Sequence, residues 1–276
     1  MNNAIRTNTG LRILLAGFFL SVLLTACAEV PLTKRQGLRL VPQSELLQMS
    51  FQQYDKVLKE SKLSNHTEKA QTVKRVGQKV AVAAEQFLND SGLSSDLNNY
   101  KWDFNLIEDD KTVNAWCMPG GKVAVYTGIL PYTQDENGLA VVIAHEVAHA
   151  IANHGNERMS QGLLVQMGGL AFSVALKDQP QKTTNLYLMA YGLGANVGIL
   201  LPYSRLHETE ADHIGLMIMA RAGYDPNGAV TFWERMNAKA GSRPPEFLST
   251  HPAPDTRIAD IKTFIPEAMP YYHKAP

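Results

Sequence analysis

Cysteine is scarce in this chain: Cys27 and Cys117 are the only two in 276 residues. Two thiols close at most one bridge, so a disulfide-stapled scaffold is excluded and the fold must stand on a core. An excess of one charge is also missing, with 26 bases against 26 acids and no basic stripe, so nucleic acid is not an expected partner. Long hydrophobic runs are few. Residues 13–24 are almost wholly apolar but too short for a comfortable membrane span. Residues 163–176 and 186–201 are apolar but broken by glycines, with Lys177, Asp178, Lys182 and Asn185 between them. They are expected as buried helices beside a cleft rather than as spans, although a membrane-facing patch would also suit them. No internal repeat of the usual periods is present.

What the chain does have is His145-Glu146-Val147-Ala148-His149. Two imidazoles four residues apart lie one turn apart on the same helix face, where both can grip one metal ion. Glu146 lies about 100° round the helix, from which it can reach a water without binding the metal. Two ligands and a general base on one rigid rod is the pattern of a zinc peptidase. The flanks predict a buried helix: Asp135 or Asn137 as cap, Glu136 near the positive end, and Leu139, Val142, Ile143, Val147 and Ile151 at helical spacing. Gly155 is expected to end it. Cys117 lies in an apolar strand with no patterned histidine partner and is expected to be a buried structural thiol.

Catalytic zinc wants three protein ligands and one open position. A third histidine six residues past the second, after a glycine, is not available, because Gly155 and Ala152 stand at those positions. His154 is expected to point off the ligand face. The better candidate is Ser204-Arg205-Leu206-His207-Glu208-Thr209-Glu210-Ala211-Asp212. A Glu and an Asp four apart share a helix face, so one can bind zinc while the other accepts the free N–H of a ligand histidine. Spacing allows either Glu208 with Asp212, or Glu210 as ligand. Ile214, Leu216, Met217, Ile218 and Met219 follow, so the segment is expected to be buried, and a buried acid needs a cation.

Together these stretches resemble the HtpX-like and CAAX-prenyl-protease-like zinc metallopeptidases. The shared pattern is His-Glu-x-x-His, then Ser-Arg-x-x-Glu-x-x-Ala-Asp, in order over roughly residues 45–265. Asn114 to Gly121 resembles that family's strand beside the active site, Ala222 to Pro226 its turn after the ligand helix, and Ser249-Thr250-His251-Pro252 with Arg257-Ile258 its C-terminal segment. The resemblance implies Glu208 as the third ligand beside His145 and His149, with one zinc ion per chain. Asp212 and Arg205 would then stand behind the ligands. It also implies His251 as a donor to the oxyanion, because the matching histidine in that family lies on a segment covering the cleft; the alternatives are a resting ligand that plugs the site, or simply the start of the last helix. The expected fold is α+β, mainly α, of zincin type, with a small β-sheet beside the metal helix. The expected strands lie near 102–106, 112–117 and 122–127, and the expected helices at 44–60, 67–89, 160–177, 184–200, 204–221 and 227–240.

The expected reaction is peptide hydrolysis with Glu146 as general base. An extended substrate would add a strand beside Asn114, Ala115 and Trp116, giving broad preference. The implied clients are unfolded or misassembled envelope proteins. A second class is a chaperone-like outer-membrane assembly factor that binds client strands and seldom cleaves; it would not need Glu146. Residues 1–12 are polar with Arg6 and Arg12, the apolar core follows, and Leu24-Thr25-Ala26 leads into Cys27. This resembles a bacterial lipoprotein signal over residues 1–26, with lipid on Cys27. Without that segment, 24 bases face 26 acids. Ala28 after the cysteine suggests the periplasmic side of the outer membrane, and the resemblance is to periplasmic lipoprotein members of the family. Residues 27–43, with Pro31 and Pro42, are expected to be a tether, and residues 44–276 one metallopeptidase domain.

Overall fold

A computed structural model describes residues 27–64, 67–177, 179–196, 200–238, 245–251 and 256–273. The expected signal peptide lies outside these residues. Two strands, β1 (Cys27–Glu29) and β2 (Gln36–Leu38), form an antiparallel hairpin. Helices α1 (Gln43–Glu60) and α2 (Glu68–Asp90) follow. Thr67 caps α2 by accepting the Ala70 N–H at 3.1 Å. Val73, Val76, Val80, Ala84, Phe87 and Leu88 of α2 are buried, as their period requires.

The small sheet comes next. Strands β3 (Asp103–Ile107), β4 (Ala115–Met118) and β5 (Lys122–Tyr126) lie in the order β3-β5-β4, with β3 parallel and β4 antiparallel to β5. Gly120 and Gly121 turn β4 into β5 at φ +85° and +81°, a region that side chains disfavour. β4 is thus the sheet's edge, and it faces the helix that follows.

That helix, α3 (Glu136–Ile151), carries His145 to His149. Asp135 caps it through the Gly138 N–H at 2.8 Å. Every residue from Gly138 to Ile151 is buried, so α3 is the central rod of the fold. It does not run to Gly155. Asn153 adopts a left-handed conformation (φ 60°), which asparagine tolerates, and the chain re-enters a helix at once. Helix α4 (His154–Ala175) therefore starts earlier than the periodicity suggested. Then come α5 (Gln181–Ala195), α6 (Leu201–Arg221), α7 (Gly228–Ala238), the short α8 (Glu246–Thr250) and α9 (Arg257–Ala268). The expected mainly α fold with a small sheet is what forms.

Helices α3 and α6 pack closely because Gly215 lacks a side chain. A Cβ there would stand 3.2 Å from both Cα and N of His145. This approach sets the residues of α6 against the face of α3 that carries His145 and His149.

The stretch read as a tether is structured. Val30 is fully buried, and the Leu40 N–H donates to Ser160 Oγ at 2.8 Å. Asn156 Nδ2 donates to the Val41 carbonyl at 2.8 Å. Pro31 lies in the turn of this docked hairpin and Pro42 caps α1, since prolines mark turns and helix starts as readily as they mark linkers.

Candidate metal centre

Four donor atoms converge where α3, α6 and α8 meet. His145 Nε2 and His149 Nε2 are 3.1 Å apart. The Glu208 carboxylate lies 3.2 Å from His145 Nε2 and 3.3 Å from His149 Nε2. His251 Nδ1 closes the group, 3.3 Å from His145 Nε2 and 3.2 Å from Glu208 Oε2. All four side chains are buried. Four ligands bonded at about 2.0–2.1 Å round one tetrahedral ion stand about 3.3–3.4 Å apart, by the geometry of a tetrahedron. The observed 3.1–3.3 Å separations therefore fit one small divalent ion. Nitrogen and carboxylate donors in this number suit zinc.

Two further layers orient the donors. Asp212 Oδ1 lies 2.9 Å from His145 Nδ1 and accepts its N–H, which leaves Nε2 free to ligate. Arg257, not Arg205, holds Asp212: its Nε and Nη2 reach the two carboxylate oxygens at 2.7 Å each. The guanidinium lies 3.4 Å above the Trp233 ring. Arg205 is exposed, two turns ahead of Asp212 on α6, so the place behind the ligands expected of Arg205 is taken by Arg257. His149 Nδ1 stands 2.9 Å from His154 Nδ1. His154, expected off the ligand face, is brought behind His149 by the break at Asn153.

Electrostatics follow from this packing. Burial alone would raise Glu208, but the imidazoles of His149, His145 and His251 outweigh it and hold the carboxyl well below the ordinary range. Burial likewise disfavours the His145 cation, yet Asp212 and Glu208 push it up to about 9. Burial drives His149 well below its ordinary value, so it is neutral and ready to ligate. Glu146 is raised by burial, which makes its carboxylate a better proton acceptor. Its Oε1 lies 3.2 Å from His251 Nε2, beside the donor cluster but not in it. Cys117 is pushed well up by burial, so its thiolate is scarce at neutral pH.

The strand expected to receive substrate is the sheet's edge. The Tyr126 N–H donates to the Asn114 carbonyl at 3.1 Å, and antiparallel alternation turns the main-chain groups of Val113, Ala115 and Cys117 outward. Some are already occupied. Asn114 Oδ1 accepts the Ala115 N–H at 2.9 Å. The Val113 carbonyl accepts the Phe247 N–H at 2.9 Å, and Asn114 Nδ2 donates to Glu246 at 3.1 Å. The short helix bearing His251 is thus hung from the upstream end of this edge. Trp116 is half-buried and meets Tyr54 edge-on at 5.9 Å.

Cys27 is exposed at the start of β1 and lines a cavity of about 310 Å3 with Leu164, Val165 and Tyr191. Leu163, Met167, Leu170, Val174, Leu186 and Met189 are exposed on α4 and α5. Among the described residues no helix is long and apolar enough to cross a membrane.

Comparison with known proteins adds an independent line. Residues 67–265 match the model for peptidase family M48. The chain is 42% identical over 177 residues to mitochondrial metalloendopeptidase OMA1 of Schizosaccharomyces pombe, covering 63% of this chain and 50% of that protein. It is 35% identical over 186 residues to the Saccharomyces cerevisiae OMA1, covering 65% and 51%. The β-barrel assembly-enhancing protease of Escherichia coli is 32% identical over 187 residues, covering 64% of this chain and 38% of that protein. The chain thus spans about half the length, or less, of these relatives. Identity is higher to the two yeast mitochondrial proteins than to the Escherichia coli one, so the relatives alone do not single out a periplasmic branch.

Proposed function

This chain belongs to peptidase family M48, and on that premise we propose that it is a zinc-dependent endopeptidase. The observation that carries the reading is the convergence of His145, His149 and Glu208 donors with Glu146 held just outside them. One zinc ion per chain would sit on those three residues, and when bound it supplies the Lewis acidity that makes water a nucleophile at neutral pH. Glu146 accepts that water's proton and hands it to the leaving nitrogen; its raised proton affinity suits both transfers. Asp212 and Arg257 keep His145 in one tautomer.

His251 Nδ1 stands as a fourth donor, which supports the resting-ligand reading over the oxyanion donor. A substrate strand pairing along β4 would compete for the Val113 carbonyl that holds the α8 segment, and so would draw His251 away as it binds. Substrates would be extended polypeptides recognised by main chain, with Ala115, Trp116 and Asn114 forming the receiving edge. A groove of about 710 Å3, lined in part by Leu46, Met49 and Met159, begins at Met118 and Pro119 where β4 ends. Unfolded envelope proteins fit such a site.

The membrane address is a further part of the reading. Residues 1–26 would be a signal and Cys27 would carry lipid, anchoring the domain of residues 44–276 on the periplasmic side of the outer membrane. The exposed apolar side chains of α4 and α5, which lie on the same side as the partly apolar cavity beside Cys27, support it. A second reading keeps the edge strand as a client-holding site that seldom cuts; the name of the Escherichia coli relative links that protein to barrel assembly as well as proteolysis.

One comparison separates them. Glu146→Gln should retain zinc at wild-type stoichiometry and lose cleavage of an unfolded polypeptide by at least about 100-fold, the scale of general-base catalysis. Equal turnover in the variant would remove Glu146 as base. Full client protection without any zinc-dependent cleavage by the wild type would favour the holding function.

A further inference from the structure

A second buried polar cluster lies behind the metal centre, and its far end belongs to the N-terminal hairpin. Arg35, in the turn just before β2, places its guanidinium between two acids. Nη1 and Nη2 reach Glu157 at 2.7 and 2.8 Å. Nε and Nη2 reach Glu210 at 2.9 and 2.7 Å. Thr33 adds its hydroxyl to Glu210 Oε1 at 2.6 Å. The fit is close, since a Cβ on Gly37 of β2 would stand 2.9 Å from Glu157 Oε2. Glu157 and Glu210 are both buried, so Arg35 is a required counter-charge rather than a surface ornament.

From Glu210 the contacts run inward. Glu210 Oε2 lies 3.2 Å from His154 Nε2, and His154 Nδ1 lies 2.9 Å from His149 Nδ1. The tautomers along this chain are not free. If His149 ligates through Nε2, its proton sits on Nδ1, and only an unprotonated His154 Nδ1 can accept it. His154 must then carry its own proton on Nε2, where Glu210 accepts it. Glu210 is in turn held by Arg35 and Thr33. Each link fixes the next.

We propose that the hairpin of residues 27–38 is a positioning element of the metal centre, with Arg35 acting on ligand His149 through Glu210 and His154. This rests on the metal-site reading above and extends it to Arg35, in a separate part of the chain that touches no ligand. The sister ligand His145 is oriented by a carboxylate directly, through Asp212. His149 is oriented by a carboxylate through a relaying imidazole, and the N-terminal segment supplies the clamp.

The test uses purified full chain and zinc affinity, measured by competition with a chromogenic chelator, together with the visible spectrum of the cobalt-substituted protein. Arg35→Met, Glu210→Gln and His154→Leu should each weaken zinc binding about 10–100-fold, the usual cost of disturbing a ligand's hydrogen-bond partner. His154→Gln, which offers an acceptor and a donor in the same place, should recover most of the affinity. Glu157→Gln grades the effect: it leaves Glu210 to hold Arg35 and reaches His154 only through His207, which stacks on that ring at 4.3 Å, so it should weaken zinc binding less than Glu210→Gln does. If Arg35→Met, Glu210→Gln and His154→Leu bind zinc as wild type does, or if Glu157→Gln weakens binding as much as they do, the hairpin is only a structural clamp and the proposal falls. A wild-type chain that binds no zinc would instead overturn the metal-site reading on which it rests.

Discussion

Arg257 offers the sharpest energetic test of the site. It is 6% exposed, pairs with both oxygens of Asp212 at 2.7 Å, and lies on Trp233. Arg257→Met keeps an apolar stem over the indole and removes the charge. Stripping one partner from a buried ion pair costs roughly 3–5 kcal/mol, because the other charge stays buried. Asp212 retains one hydrogen bond, from His145 Nδ1 at 2.9 Å, so the lower end, about 3 kcal/mol, applies here. For a domain of this size each kcal/mol moves the melting temperature by about 2–4 °C, which predicts a fall of about 6–12 °C. Differential scanning calorimetry of the zinc-loaded protein reads it directly. In an Asp212→Asn background the same replacement should cost less, with a coupling of at least about 1 kcal/mol, since the uncompensated carboxylate is already gone. A drop under about 2 °C, or strict additivity of the two changes, would show that Arg257 and Asp212 do not form the support described.

Three other outcomes follow from the same geometry. Glu208→Ala should weaken zinc binding by more than about 100-fold, beyond the range for residues behind the ligands, whereas Glu210→Ala should leave a measurable one-to-one site; the reverse order in metal analysis would move the third ligand. His251→Ala should raise cleavage of a short unfolded peptide while lowering zinc affinity slightly, as loss of a resting ligand would; reduced turnover with unchanged affinity would restore the oxyanion role. Acid should destabilise even the metal-free protein. Burial opposes ionisation of Glu157 and Glu210, yet His207 and Arg35 hold Glu157, and His154 and Arg35 hold Glu210, at about 2. Folded values below the unfolded ones mean this stability is complete above about pH 4.5 and is lost as pH falls toward 2. Melting curves between pH 5 and 2 should show that loss shrink in Arg35→Met; an identical acid profile would count against the clamp.

The ligand helix was legible because its signals are local. Two histidines at a four-residue spacing, an Asp135 cap and an apolar surround all point to α3, and those residues form it. The sheet was legible for the same reason, from alternation at Trp102, Phe104 and Leu106 and from Gly120-Gly121. What the sequence hid depended on direction. A helix running on to Gly155 carries His154 away from the metal, whereas one residue in a left-handed conformation at Asn153 returns it behind His149. Asparagine soon after an apolar helix is the one signal that would have warned of this. Arg205 and Arg257 were harder to tell apart. Arg205 shares a helix face with Asp212 but stands two turns, roughly 10 Å, ahead of it on α6, and the return of α9 onto α6 brings Arg257 against the carboxylate instead.

The same distinction explains why the N-terminal hairpin escaped notice. Two prolines, a short length and mixed polarity look like a linker to any local rule. Its contacts make sense only from the other side, where Glu157 and Glu210 are buried acids on two different helices. Buried acids call for a positive partner, and the chain supplies one from more than 100 residues away. Reading the acids first, and asking which cation satisfies each, would have assigned Glu208 to the metal, Asp212 to Arg257 and Glu210 to Arg35. That procedure transfers to any chain in which a metal motif is followed by a run of acids on a buried helix: Asp212 and Glu210 are each held by an arginine at 2.7 Å, whereas Glu208 faces mainly imidazole nitrogens and meets Arg257 only at 3.5 Å, which marks it as the candidate ligand.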